Sequence, residues 1–143
     1  MTPVVQTSYG KSKGNCLAAC VASILDVPIS ALPDFEGVNR SADGAWFERV
    51  VEFCQANGFS LVYWHHSENM PIICLGTYVI VLLELEGCEE LHAVIGETVP
   101  EKKTRQEDGD TIGAWGTELI HDPNEHGYPP VKGPAGYLVI SKQ

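Results

Sequence analysis

The chain reads as an α+β protein in which helices come first and a mostly antiparallel sheet follows. Three observations carry this. Apolar residues recur at helical spacing in two segments before Asn57-Gly58; short apolar or alternating runs bounded by Gly, Pro, Asn or acidic residues fill the remainder; and strands do not alternate with helices as a doubly wound parallel sheet requires.

Val4-Val5-Gln6 is a short extended entry, and 7–14, rich in Gly, Ser and Lys, is a loop. Asn15 is a suitable N-cap for a helix whose buried stripe is Leu17, Cys20, Val21, Ile24 and Leu25, with Pro28 as its stop. Residues 28–32 make a single turn halted by Pro33, and 34–42 form a polar connection. Asp43 can cap a second helix, whose apolar face is Trp46, Phe47, Val50, Val51 and Cys54 and whose end is Asn57-Gly58, glycine taking the left-handed conformation. Strands are predicted at 60–64, 78–85, 91–96, 117–121 and 137–141. The charged, glycine-containing stretch 97–116 fits an ordinary surface loop better than a flap.

With 143 residues the chain fits one domain, 1–143, able to bury a core without disulfides or a structural metal. A formal charge of −10 disfavours nucleic acid and anionic membranes and accommodates a neutral or basic peptide or protein substrate. The short basic clusters, Lys11 with Lys13 and Lys102-Lys103 with Arg105, suit solvated loops. Five cysteines without a CxxC spacing, and a first ten residues without an apolar signal core, point to a reducing cytoplasm. The longest apolar run, 78–83, is far short of the ~20 residues of a membrane helix. Nothing in the sequence speaks to oligomeric state.

The segment Gly14-Asn15-Cys16-Leu17-Ala18-Ala19-Cys20 places a thiol in the first turn of an apolar helix. Unpaired N–H groups and the positive end of the helix dipole favour thiolate there, so Cys16 is the candidate nucleophile. Such a thiol needs a base, a group to orient that base and donors for an oxyanion. His92 opens the apolar run His92-Ala93-Val94-Ile95-Gly96; Asp122, held at a strand end by Pro123, can orient it; Gln6 precedes the cysteine. Cys20, Cys54 and Cys74 read as packing residues and His65-His66 as surface. His121 and Asp122 are strand neighbours that point to opposite faces, and His126 lies in a loop that could reach a cleft. Cys88 and His92, four apart, lack the second tight pair of a structural zinc site, so no metal and no cofactor are expected.

These segments, GNCLAAC with its helix, HAVIG at His92 and HDP at 121–123, resemble the papain-like cysteine peptidases, in particular compact members similar to the C39 peptidases. The resemblance spans most of the chain. It implies a papain-like fold with the nucleophile helix packed on the sheet, Cys16 as nucleophile, His92 as general base, Asp122 as its orienter, and Gln6 with the Cys16 backbone N–H as oxyanion donors. Gln6 lies ten residues before Cys16 and thirty separate His92 from Asp122, the latter interval holding 97–116 as an inserted loop. The implied activity is hydrolysis of a peptide, isopeptide or related amide through an acyl-enzyme. Acyl transfer or deamidation of transglutaminase type would use the same parts, and a non-catalytic peptide-binding module would keep the fold alone.

Overall fold

The computed structural model describes residues 1–7, 15–33, 45–65, 76–87, 91–100, 115–127 and 129–142. Helices α1 (Cys16–Leu25) and α2 (Ala45–Ala56) precede strands β1 (Phe59–His65), β2 (Tyr78–Leu85), β3 (Leu91–Pro100), β4 (Trp115–His121) and β5 (Val131–Lys142). The five strands form one sheet in the order β1-β5-β2-β3-β4, every pair antiparallel. The architecture is therefore α+β, with two helices on an antiparallel sheet. No helix among the described residues is long and apolar enough to cross a membrane.

Both helices cover the same sheet face. Leu17, Cys20, Val21 and Leu25 of α1 and Val50 and Cys54 of α2 share one core with Ile80, Leu82, Ala93, Ile95, Leu138 and Ile140. Residues of opposite parity, Val79, Val81, Leu83, Leu85, Val94 and Val139, cluster on the other face with Trp64 and Tyr137. This strict alternation along β2 and β3 fixes which side chains face the helices. Cys20 and Cys54 are fully buried, as packing residues should be. On α2, Phe47 meets Tyr63 of β1 edge to face with centroids 6.2 Å apart.

Helix α1 ends differently from the expectation that Pro28 stops it. Asp26 takes the left-handed conformation (φ 59°, ψ 42°), and the Val27 N–H closes back on the Ala22 carbonyl at 3.1 Å, a Schellman-type end in which aspartate does what glycine usually does. A hydrogen bond from the Thr2 hydroxyl holds the Asp26 carboxyl below the usual carboxylate range. Pro28 instead leads into a 3-10 turn, Ile29–Ala31. The end of α2 matches expectation, with Gly58 at φ 83°. Its proposed cap Asp43 lies outside the described residues, as do the loop 8–14, the connection 34–42, Lys11, Lys13, His66, Cys74, Cys88 and the Lys102-Lys103/Arg105 cluster.

Strands β1 and β4 exceed their expected ranges by two residues, and β3 and β5 by more. β3 continues through Glu97 to Pro100, paired with β4 from Trp115 (Val99↔Gly116, Pro100↔Trp115), so the ends of 97–116 are strand and not loop; 101–114 lie outside the described residues. β5 starts at Val131, six residues before the expected start. Its early half carries Gly133, Pro134 and Gly136, which read as breakers, yet shifts in register against Leu82/Leu83 and Glu84/Leu85 leave Ala135 and Lys132 as bulged residues, and a bulge tolerates proline inside a sheet.

Gly136 is required by contact: a Cβ there would stand 2.7 Å from the Tyr63 ring and 2.9 Å from the Trp64 carbonyl oxygen. Because part of that clash is with backbone, the neighbour cannot swing away. Gly136→Ala should cost about 1–3 kcal/mol, the usual scale of overpacking, and a urea titration monitored by tryptophan fluorescence measures it.

Candidate active site

The sequence gives α1 a thiol at its first residue, and the fold sets that residue against one edge of β3. The ladder between β3 and β4 ends at Ile95↔His121, after which the chain leaves the sheet at Asp122-Pro123. Beside the vacated edge, the Ala93 N–H donates to Cys16 Sγ at 3.5 Å. The sulfur thus lies against the backbone of the residue immediately after His92. Cys16 is 8% exposed, sheltered but reachable.

His92 is buried, and its Nε2 lies 2.8 Å from Asp122 Oδ1. An ionised carboxylate only accepts, so Nε2 carries the proton and Nδ1 is left as the basic nitrogen of the neutral ring. The same Oδ1 accepts the Asn124 N–H at 2.9 Å, and Asn124 Oδ1 in turn accepts the His126 N–H at 2.8 Å. These are consecutive Asx-turns: each short polar side chain bonds the backbone two residues on, which fixes its rotamer. Pro123, fully buried between them, locks the corner. The Asp122-x-Asn124 spacing is itself a turn signal that the sequence carries.

Gln6 is buried at 4% exposure, and a strap of backbone brings it to the Pro123 corner. Residues 1–7 run along α1 from its end to its start. The Thr2 N–H bonds the Ser23 carbonyl at 3.2 Å and the Val4 N–H bonds Ser23 Oγ at 2.9 Å, while that hydroxyl donates to the Ala19 carbonyl at 2.7 Å. On the other side, His121 Nε2 lies 2.7 Å from the Val4 carbonyl oxygen and the Gln6 N–H donates to the Pro123 carbonyl at 3.0 Å. Asn15 departs from its expected role, since its side chain does not cap α1. It bonds Thr7 twice, accepting from the Thr7 N–H at 3.0 Å and donating to Thr7 Oγ1 at 2.9 Å. The residue after Gln6 is thereby tied to the residue before Cys16.

The structure thus brings His92 to Asp122, Cys16 to the residue after His92, and Gln6 to the Pro123 corner. The rivals go elsewhere. His121 is spent on the strap, His65 is exposed on β1, and exposed His126 offers its backbone to the turn. Sequence reasoning missed Ser23, Asn15, Thr7 and Asn124 as holding groups; of these, only Asn124 left a local signal. Among the described residues no three His, Cys, Asp or Glu side chains are grouped to hold a metal. Burial pushes the Cys54 thiol up to about 11, which silences it chemically at neutral pH.

Comparison with known proteins found no matching family model, no similar curated protein and no similar solved structure.

Proposed function

We propose that this protein is a cytoplasmic thiol hydrolase of papain-like architecture, acting on a peptide, isopeptide or related amide. The observation that supports the proposal is a pair of contacts at successive residues of β3: Asp122 Oδ1 to His92 Nε2 at 2.8 Å, and the Ala93 N–H to Cys16 Sγ at 3.5 Å. Cys16 Sγ gives its proton to His92 Nδ1 and attacks the carbonyl carbon. The oxyanion is met by Gln6 and the Cys16 backbone N–H. Collapse of the tetrahedral adduct breaks the C–N bond as the imidazolium protonates the leaving amine, and water, deprotonated by the same ring, then releases the acid from the thioester. Asp122 keeps the ring in the required tautomer throughout.

Labelling with iodoacetamide tests the nucleophile. At pH 7, intact-mass and peptide analysis should find Cys16 modified first, whereas Cys54, with its thiol near 11, holds only about one part in ten thousand as thiolate and stays unmodified. Equal modification of Cys16 and Cys20 would refute the assignment.

The carboxylate offers a finer test. In Asp122→Asn the amide oxygen can still accept from both His92 Nε2–H and the Asn124 N–H, and the second donor discourages the flipped amide. Asn should therefore lose about tenfold in kcat/KM and Asp122→Ala about 10²-fold, read from the hydrolysis of a fluorogenic amide.

A further inference from the structure

Beyond the start of α1, the face of the sheet that the helices cover continues for one more cross-strand pair, both of whose residues are exposed. Along β3, Ala93 and Ile95 face the helices and share the core with Cys16. Two residues before Ala93 on the same face stands Leu91, which is 40% exposed although it is a large apolar residue in a paired strand. Its cross-strand partner on β2 is Glu84, which continues the parity of Ile80 and Leu82 and is exposed. Among the described residues nothing pairs with the Glu84 carboxylate; Lys132, bulged out of β5 close by, makes no ion pair with it.

The distances suit a substrate side chain. Leu91 lies roughly 6.6 Å along the strand from the residue that touches Cys16 Sγ. Glu84 lies about 5 Å further across the sheet. A lysine or arginine has an aliphatic stem that covers apolar surface and a cationic head that reaches beyond it. Leu91 matches the stem and Glu84 the head, and the net charge of −10 attracts such a peptide from a distance.

Resting on the assignment of Cys16 as nucleophile, we infer that Leu91 and Glu84 form a subsite for a lysine or arginine side chain flanking the bond under attack. The substrate class is thereby a peptide with a basic residue next to the scissile amide.

Two series of chlorinated probes test this on the full chain. Peptidyl chloromethyl ketones place the variable side chain on the acyl side of the reacting carbon, and chloroacetyl amino-acid amides place it on the leaving-group side; each is made with Lys, Leu or Glu. In both, the Cys16 thiolate forms an S–C bond and chloride leaves. Rates are divided by that of iodoacetamide, which is too small to reach the subsite. In one series the Lys probe should label Cys16 about tenfold faster than the Glu probe. Glu84→Gln should narrow that ratio to about threefold, Glu84→Lys should invert it, and Leu91→Ser should slow the Lys and Leu probes alike. Prompt iodoacetamide labelling with no Lys preference in either series, or a preference that survives Glu84→Lys, overturns the subsite alone. Failure of iodoacetamide to label Cys16 overturns the nucleophile assignment and the subsite with it.

Discussion

His92→Ala should lower kcat/KM for amide hydrolysis by about 10³-fold, within the 10²- to 10⁴-fold range of a general acid–base group. The size follows from the ring's double duty. In the proposed mechanism Nε2 stays on Asp122 while Nδ1 takes the thiol proton and later returns it to the amine, and without the ring both transfers fall to solvent. Alkylation of Cys16 at neutral pH should fall as well, because thiolate loses the cation that pairs with it. Parallel measurement of fluorogenic amide turnover and iodoacetamide rate checks both. A variant within threefold of wild type in each would remove His92 from the mechanism.

Gln6→Ala should behave differently, losing about 10²- to 10³-fold in turnover while Cys16 alkylates at the wild-type rate. An oxyanion donor acts on charge that develops only when a carbonyl is attacked, and alkylation by iodoacetamide develops none. A peptide aldehyde, which forms a tetrahedral adduct with the thiol, should bind correspondingly more weakly. If turnover and alkylation fell together, the strap would be supporting Cys16 itself and Gln6 would not be a donor. The effect needs Gln6 to be held firmly. Val4 and Gln6 are fastened to His121 and Pro123 on one side, and Val4 and Thr7 to Ser23 and Asn15 on the other.

Helical spacing in 16–25 and 45–56, and period-two parity in 78–85 and 91–96, made the layout readable, because these segments bury one face and hydrophobic pattern reports burial directly. The early half of β5 escaped because glycines and a proline stand at bulges, where pairing tolerates them and the sequence offers only breakers. The continuation of β3 through Glu97 escaped because its charge suggested a loop. In the site, Cys16, His92 and Asp122 could be picked out by residue type and by the local elements that carry them. Their holding groups could not: the bonds from Val4 to Ser23, Thr7 to Asn15 and Val4 to His121 join residues 19, 8 and 117 positions apart, and no local pattern encodes such pairings.

The strand order has a consequence for how the chain matures. β5, which follows every other element in sequence, is inserted between β1 and β2, so the sheet cannot close until that last stretch has been synthesised. β4, whose end delivers Asp122, also emerges late. Non-local pairings of this kind form slowly and only after the loops between them have closed. On the proposed function, Cys16 stays an ordinary thiol until β4 and β5 have been added and Asp122 has met His92, so its reactivity is tied by topology to completion of the sheet.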